Sequence, residues 1–211
     1  YEILKKKAVN QNRKLIGSKC DVSIQKSVDD FFEQVFQEFN SVDVLVNAAG
    51  VAWAAAPQDM KLENWEKVIQ VNLTGTFLCS QAVGRKMINS GGGSIINLSS
   101  VVGLYGSDPE ILDSIGYSSS KAGVIGFTKD LAMKWAKHNI RINVLVPGWF
   151  RTHLTKDLLD KREETILRTI PMRRLGSEIE LKGAAVFLSS SASSYITGQI
   201  LCVDGGITSG R

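Results

Sequence analysis

The 211-residue sequence predicts an α/β fold, a doubly wound parallel sheet with helices on both faces, in three layers. Apolar residues recur with periods that alternate between strand-like and helix-like segments along the whole chain. Two strand-like segments, VDVLVNAAG (42–50) and IRINVLVPG (140–148), are continuous apolar runs. Continuous runs of this kind are typical of parallel strands that are buried on both faces.

The individual elements follow from the same periodicity and from the positions of turn residues. In chain order, the predicted elements are a strand at 14–22, a helix at 28–39, a strand at 42–50, a long helix at 62–89, a glycine turn at 91–93, a strand at 94–100, a helix that begins near 115, a strand at 140–148, helices at about 152–169 and 177–190, and a strand at 199–206. The first 15 residues resemble the end of an amphipathic helix.

Composition narrows the class of protein. A hydrophobic content of 44% and a charged content of 22% are ordinary for a globular domain. The net charge of +4 is spread along the chain, so we expect no nucleic-acid partner. The three cysteines have neither metal-site nor disulfide spacing, which predicts free thiols in the cytoplasm and no metal. No apolar run approaches the about 18 residues of a membrane span, so we expect no membrane partner.

Unusual residues follow the predicted strands at their carboxyl ends, where parallel sheets bind ligands. These are the small residues NAAG (47–50), the pair Ser99–Ser100, and the segment PGWFRT (147–152). In addition, Asn72 lies among the apolar positions of the long helix. A buried amide without partners costs about 1–3 kcal/mol, so Asn72 must be hydrogen-bonded either within the core or at a site.

Tyr117 and Lys121 are four residues apart on a predicted helix and should share one face. The three serines between them are expected to fill the other faces. Tyrosine titrates near 10, and a neighbouring ammonium lowers that value. A shift of about 3 units requires roughly 4 kcal/mol, which a partly buried lysine beside a cationic cofactor could supply. Ser100 could hold a substrate oxygen and Asn72 a water that relays protons to Lys121, which together predict proton transfer to an oxygen.

Several motifs resemble those of the short-chain dehydrogenase/reductase family, from CDVS (20–23) to VDGG (203–206). The motifs are DVLVNAAG, VNLTG, INLSSVVG, YSSSK and PGWFRT. The resemblance implies an enzyme that interconverts a secondary alcohol and a ketone with NAD or NADP. It also implies four catalytic residues, Asn72, Ser100, Tyr117 and Lys121. In this family Tyr117 would exchange the hydroxyl proton, and Lys121 would lower the pKa of Tyr117 and hold the nicotinamide ribose.

The resemblance further implies where the cofactor binds. The residues concerned are Asp21, Val22, Asn47, Ala49, Gly50, Tyr117, Lys121, Pro147, Gly148 and Thr152. The pair Asp21–Val22 would lie near the adenine, the stretch 47–50 beside the adenosine ribose, and Thr152 at the nicotinamide carboxamide. A homotetramer is implied as well, with the long helix and the Tyr117 helix at one interface, where Ala122, Gly123 and Gly126 would permit close approach.

One part of the family pattern is missing from these 211 residues. No glycine-rich cofactor loop is present, and the turn at 91–93 is no substitute because it leads into a strand rather than a helix. The family's strand order is 3-2-1-4-5-6-7, and the chain holds the equivalents of strands 3 to 7. We therefore expect a single NAD(P)-binding Rossmann-type domain over 1–211 that is incomplete at its N-terminus, with about 40 to 50 further residues before residue 1.

The substrate is predicted from the tail and from the inserted loop GSDPEILDSIG (106–116), which is expected to shape the substrate mouth. Segment 168–206 and the inserted loop resemble gluconate 5-dehydrogenase and 2-dehydro-3-deoxygluconate 5-dehydrogenase, which indicates a sugar acid or polyol. The alternatives are a 3-oxoacyl-carrier-protein reductase and, in another class, a non-catalytic nucleotide-sensing or assembly-forming relative. The candidate substrate residues are Ser100, Trp53, Trp149 and His153. Arg151, His153 and Lys156 could meet a carboxylate, whereas Arg173, Arg174 and Lys182 could form a basic rim for an acidic carrier protein.

Overall fold

A computed structural model describes residues 2–210 and contains one sheet of four parallel strands in the order β1-β2-β3-β4. The elements are α1 (Glu2–Asn10), α2 (Gln25–Glu38), β1 (Val44–Asn47), α3 (Leu62–Ile69), a π-helical turn (Gln70–Thr74), α4 (Gly75–Ser90), β2 (Gly93–Leu98), α5 (Ile115–Trp135), β3 (Ile140–Pro147), α6 (Lys156–Thr169), α7 (Glu178–Ser189) and β4 (Ile200–Val203). The prediction of a parallel α/β sheet is confirmed.

Helices cover both faces of the sheet because successive strand residues point to opposite sides. On one face, Ile95 of β2 and Ile142 of β3 pack in a core with α2, α4 and α5. On the other face, Ile96 and Leu145 pack against Leu188 of α7. All of these side chains are fully or almost fully buried. Because all four strands are parallel, their carboxyl ends lie at one edge of the sheet. The predicted site residues follow the strands at that edge.

The long helix predicted over 62–89 is interrupted once. Residues 70–74 form a π-helical turn between α3 and α4, and Asn72 in that turn is completely buried. A π turn holds one residue more than an α turn, and such bulges are frequent at functional sites. The apolar spacing of the segment concealed this interruption, because α3 and α4 each keep helical periodicity on their own.

The predicted strand at 14–22 is wrong: residues 13–21 form no helix or strand. A strand needs a neighbour to take up its backbone hydrogen bonds. In the part of the chain that the structure describes, β1 pairs with β2 alone, and its other edge has no partner. Val44 and Val46 on β1 are accordingly 38% and 44% exposed. An apolar pattern by itself therefore did not produce a strand here.

Local capping explains most remaining boundaries. The turn at Gly91 and Gly92 has φ of 92° and 130°, values that favour glycine. Helix α6 begins at Lys156 rather than near 152 because Thr152 and Thr155 hydrogen-bond each other's backbone and side chains in a turn that precedes it. Helix α7 begins after a capping box of Ser177 and Glu180.

Several surface features bear on the expected partners. Ala122 and Gly126 lie exposed on α5, and the ring of Phe77, 42% exposed, meets Phe127 edge to face at 6.3 Å. The tetramer itself stays a prediction. Within residues 2–210, none of the helices has both the length and the apolar character needed to cross a bilayer. The same residues contain no group of three or more acidic, His or Cys side chains placed to hold a metal ion.

Candidate active site

A cavity of about 380 Å³ opens at the carboxyl edge of the sheet, between the strand ends, α5 and the start of α6. It collects most of the residues that the sequence singled out. Those that line it are Gly50, Ser100, Tyr117, Lys121, Pro147, Gly148, Trp149, Thr152 and His153. Residues that are far apart in sequence therefore meet at one place because three parallel strands end there.

Tyr117 stands beside Ser100 in this cavity. Burial raises the pKa of the Tyr117 phenol above its ordinary value, and a hydrogen bond with the Ser100 side chain acts in the opposite direction. Burial, the larger of the two effects, therefore favours the protonated phenol. Two hydroxyl groups side by side form a site for one oxygen atom of a ligand, which can accept a hydrogen bond from each.

Lys121 is 5% exposed and reaches into the same space from one turn further along α5. Its Nζ donates to the main-chain carbonyl of Leu98 at 2.9 Å and lies 5.6 Å from the centroid of the Tyr117 ring. Burial lowers the pKa of Lys121 to about 8. Most of the amine is still an ammonium at pH 7, so it favours the phenolate form of its neighbour.

Asn72 lies behind this pair, and its side-chain amide makes three hydrogen bonds. Its Oδ1 accepts from the Val51 N–H at 2.8 Å, and its Nδ2 donates to the Val51 carbonyl at 3.0 Å and to Ser120 Oγ at 2.9 Å. Both amide hydrogens are thus in use. What Asn72 can still offer to a relaying water is a carbonyl lone pair, on its side chain or on its main chain.

Ser120 is a site residue that the sequence analysis missed. The expectation that all three serines only fill other helix faces is wrong for this one, since it is completely buried. Besides accepting from Asn72, Ser120 Oγ donates to the Tyr117 carbonyl at 2.7 Å. The sequence position of Ser120, directly before Lys121, could have indicated its burial. If Lys121 is buried, this part of the helix must face the sheet.

Two residues before α5 fit closely against its backbone. Ser99 Oγ donates to the Lys121 carbonyl at 2.8 Å. A Cβ added to Gly103 would lie 2.7 Å from the Lys121 carbonyl carbon, a separation that real Cβ atoms essentially never show. The turn after β2 therefore holds the Lys121 segment against the strand end.

The nicotinamide side of the predicted cofactor site is compatible with these contacts. A Cβ on Gly50 would lie 3.4 Å from Asn72 Oδ1 and 3.6 Å from Lys121 Nζ, so this backbone passes close to both polar groups. Gly148 must also lack a side chain, since its Cβ would approach Asp204 Cα to 2.7 Å. A side chain at position 50 would therefore enter the space beside Lys121, whereas one at position 148 would collide with the chain at Asp204.

The adenosine side lies in a second groove of about 170 Å³, lined in part by Val22, Asn47 and Ala49. Ala48 lines both this groove and the larger cavity, so the two are adjacent. The Asn47 side chain does not face the groove as a free ligand, because it is buried and donates to Ser80 and Asn97.

Asp21, at the exposed end of this groove, accepts from the backbone N–H and the hydroxyl of Ser23. Those hydrogen bonds lower the pKa of its carboxyl. The next residue, Val22, packs close to Gly75 of α4, where a Cβ would approach its side chain to 2.7 Å. Asp21 is therefore ionised at neutral pH, and it is not among the residues that line the Tyr117 cavity.

Of the four candidate substrate residues, three lie in the cavity and one does not. Trp149 and His153 line it together with Ser100. Trp53 is 46% exposed and is not part of the lining, and its main-chain carbonyl accepts from Ser114 Oγ. An aromatic residue near a motif was thus insufficient to place it in the site, because Ala52 still lines the cavity and the chain leaves it at Trp53.

The rest of the cavity wall is largely aliphatic. Its members are Val101, Val102, Leu112, Leu154, Leu158 and Leu181. Leu112 belongs to the inserted loop, in agreement with the expectation that this loop shapes the mouth. Arg151, expected to meet a substrate carboxylate, instead pairs with Asp160 at 2.6 Å and with Glu163.

The candidate basic rim is also engaged within the chain. Arg174 forms a bidentate ion pair with Glu180, and Lys182 forms an ion pair with Glu178. Arg173 donates to the main-chain carbonyl of Arg168. Two of the three cations are thus paired with carboxylates, whereas the charge of Arg173 is opposed only by a main-chain carbonyl.

Comparisons with known proteins agree with this site. A family model described as enoyl-(acyl carrier protein) reductase matches residues 3–208. The 3-oxoacyl-(acyl-carrier-protein) reductase of Thermotoga maritima is 43% identical over 187 residues, which are 89% of this chain and 74% of that protein. A short-chain type dehydrogenase/reductase from Mycobacterium marinum superposes with a TM-score of 0.93 at 35% identity, covering 98% of this chain and 81% of the other. The gluconate 5-dehydrogenase of Burkholderia cenocepacia, solved with NADP and tartrate, has a TM-score of 0.91 at 33% identity, covering 98% and 80%.

Proposed function

Because this chain belongs to the short-chain dehydrogenase/reductase family and is an NAD(P)-dependent oxidoreductase acting on CH–OH groups, we propose that its substrates are 3-oxoacyl thioesters, which it reduces to 3-hydroxyacyl thioesters. The sequence alone favoured a sugar acid or polyol and kept this function as the alternative. The identity to 3-oxoacyl reductases over most of the chain favours the alternative.

The observation that carries the proposal is the aliphatic wall of the cavity beside Tyr117. Valine and leucine side chains from the turn after β2, the inserted loop, α6 and α7 surround the space. An acyl chain gains about 25 cal/mol for each Å² of apolar surface that it buries there. A sugar acid would need donors and a cation on the same wall, and Arg151 is already paired with two carboxylates.

The residues of the site have distinct roles in this reaction. Bound NADH or NADPH supplies the hydride, which adds to the C3 carbonyl carbon and leaves the cofactor oxidised. Ser100 and Tyr117 hold the C3 oxygen, and Tyr117 transfers its hydroxyl proton to that oxygen, completing the alcohol. Lys121 stabilises the phenolate that remains and binds the nicotinamide ribose, and Asn72 supports the water that returns a proton.

Two neighbouring hydroxyls also distinguish this reaction from reduction of an enoyl double bond. In ketone reduction the proton ends on the oxygen that Ser100 and Tyr117 hold, whereas in reduction of an enoyl thioester the hydride adds at C3 and the proton must reach the carbon C2. The arrangement in the cavity is built around an oxygen atom. We therefore expect reduction of the ketone and not of the alkene.

A second candidate substrate, a polyol or sugar acid, is favoured by one observation. His153 and Thr155 lie on the otherwise aliphatic wall and could hydrogen-bond a polar substrate. In a different class, a non-catalytic relative would keep the fold without turnover. The complete set of Asn72, Ser100, Tyr117 and Lys121 in one buried arrangement disfavours that alternative.

The test compares four substrates with NADH and NADPH or their oxidised forms: acetoacetyl-CoA, crotonyl-CoA, gluconate and sorbitol. We expect acetoacetyl-CoA to have the highest kcat/KM by at least about tenfold, which corresponds to about 1.4 kcal/mol in transition-state binding. Tyr117→Phe should abolish the turnover. Faster oxidation of gluconate or sorbitol would support the polar substrate, and absent turnover equal in Tyr117→Phe and wild type would support the non-catalytic relative.

The tetramer and the cytoplasmic location also belong to this proposal. Sedimentation equilibrium would measure the first: a mass four times the chain mass is expected, and a monomer would contradict it. Fractionation of the source cells would test the second.

A further inference from the structure

We propose that Ser120 is a positioning residue, which, together with Ser99, holds the turn of α5 that carries Tyr117 and Lys121 in register with Asn72. The proposal rests on the catalytic roles given above to those three residues. It adds two hydroxyl groups that contact neither substrate nor cofactor and that act through the backbone of the catalytic pair.

The first observation is the double role of the Ser120 hydroxyl. Its Oγ donates to the Tyr117 carbonyl at 2.7 Å and accepts from Asn72 Nδ2 at 2.9 Å. A serine that donates back to the carbonyl three or four residues earlier is common in helices, and Ser90 and Ser189 do so here. What sets Ser120 apart is the second bond, which joins α5 to the π turn of another helical segment.

The second observation is that this bond extends to the loop after β1. The Asn72 side chain accepts a hydrogen bond from the Val51 N–H and donates one to the Val51 carbonyl. A continuous series of hydrogen bonds therefore runs from Val51 through Asn72 and Ser120 to the backbone of Tyr117. The neighbouring Gly50 is the residue whose backbone faces Lys121 Nζ, so the series ties the cofactor-side loop to the catalytic helix.

The third observation is that the other catalytic residue is held in the same way. Ser99 Oγ donates to the Lys121 carbonyl at 2.8 Å, and Ser99 is 4% exposed. One serine thus fixes the carbonyl of Tyr117 and another fixes that of Lys121. No buried side-chain nitrogen or oxygen in residues 2–210 lacks a hydrogen-bond partner. Removing the Ser120 hydroxyl would leave one Asn72 amide hydrogen without its acceptor, and removing the Ser99 hydroxyl would take from the Lys121 carbonyl its side-chain donor.

Loss of the Ser120 hydroxyl should change chemistry as well as stability. The Asn72 amide would lose one acceptor, and the turn between Tyr117 and Lys121 would be free to relax. Because the ammonium favours the phenolate less as the two groups separate, the pKa of Tyr117 should rise. A purely structural hydroxyl would not alter the titration of Tyr117.

The chain contains a matched control in Thr128. This residue is also completely buried on α5, donates to the Val124 carbonyl at 2.7 Å and accepts from Asn97 Nδ2 at 2.9 Å. It has the same bonding pattern as Ser120 but lies about two turns beyond Lys121. Ser119, which makes no side-chain hydrogen bond in the described structure, provides a control for substitution of a neighbouring serine.

The experiment measures kcat against pH for oxidation of 3-hydroxybutyryl-CoA by Ser120→Ala, Ser99→Ala, Thr128→Val, Ser119→Ala and wild type, each with its melting temperature. For Ser120→Ala we expect kcat to fall about tenfold or more, KM to change less than about twofold, and the midpoint of the rise with pH to move up by about 0.5 unit. Ser99→Ala should show a smaller shift in the same direction. Thr128→Val should lower the melting temperature without moving the midpoint, and Ser119→Ala should change neither.

The proposal is overturned if Ser120→Ala keeps the wild-type midpoint, or if Thr128→Val moves it equally. Should Ser120→Ala fail to fold, Ser120→Cys and Ser120→Thr decide: the thiol should shift the midpoint and the threonine hydroxyl should preserve it. If wild type oxidises no thioester, the proposed substrate is wrong. The same shift is then sought by ultraviolet titration of Tyr117, taken as the difference between each variant and its Tyr117→Phe counterpart.

Discussion

The junction between α5 and the sheet differs sharply from the free edge of β1. At the junction, Lys121, Asn72 and Ser120 are buried and every polar atom has a partner. At the edge, Val44 and Val46 are substantially exposed although both are β-branched strand formers. The contrast teaches that burial of polar groups and exposure of apolar ones are set by which neighbours are present. β1 forms by pairing with β2, and the tertiary partners that are present decide which of its side chains are covered.

The largest expected effect is on chemistry at the junction. Tyr117→Phe removes the hydroxyl that exchanges the proton and should lower kcat by about 10³-fold, within the usual range for a general acid. The fold should be retained, because the ring keeps its packing. Steady-state kinetics and thermal unfolding of the same sample measure both, and a variant with more than one tenth of the wild-type kcat would contradict the proposed role.

The second largest effect concerns the free energy of unfolding, which the burial of Lys121 lowers. Its pKa falls from an ordinary 10.5 to about 8 on folding, so between those values the unfolded chain binds more protons and stability rises with pH. Below pH 8 both states carry the ammonium and the whole cost is present. Lys121→Met should therefore be more stable than wild type at pH 7 by about 2–3 kcal/mol.

That advantage should shrink as the pH rises from 8 to 10. Urea unfolding of both proteins at pH 7, 8, 9 and 10 would measure it. A constant difference across this range would mean that the amine does not lose its proton in the folded state.

A steric test of the junction uses two glycines. Gly103→Ala places a methyl group 2.7 Å from the Lys121 backbone and should reduce the free energy of unfolding by about 1–3 kcal/mol. Gly183→Ala in α7, where a Cβ would meet nothing within 4 Å, should instead stabilise by about 0.5–1 kcal/mol. Equal effects of the two substitutions on chemical denaturation would refute the close approach at Gly103.

The smallest effect is expected at the edge. In the 211-residue chain, Val46→Thr should change the free energy of unfolding by less than about 0.5 kcal/mol, as for most surface positions. Val146→Thr, at a fully buried strand position, should cost about 1–3 kcal/mol because its hydroxyl enters an apolar core. If Val46→Thr were as costly as Val146→Thr, the edge of β1 would be covered in solution.

Sequence reasoning succeeded where chemistry is encoded in short spacings. Tyr117 and Lys121 share a helical face by their separation alone, and strand ends in a parallel sheet bring Ser100 and Pro147 to the same cavity. It failed where the outcome depends on distant partners. The segment 14–22 has a strand-like pattern but pairs with no strand in residues 2–210, and the serine beside Lys121 has a role only because Asn72 lies opposite.

Two further residues show the same limit. The pattern around Trp53 did not reveal that the chain leaves the cavity there, and nothing near Arg151 in sequence indicated that α6 would supply its two carboxylates. Each answer depends on a loop path, which short motifs do not specify.

The π turn at 70–74 matters for the site and much less for the packing of the core. A π turn is one residue longer than the α turn it replaces, so α3 and α4 keep their buried faces on either side of it. Deleting a single residue within the turn would restore a regular helix with the same faces buried. The core would survive such a deletion, whereas the group at position 72 would no longer meet Val51 and Ser120. In this helix, the one extra residue that the π turn holds therefore serves the site rather than the core.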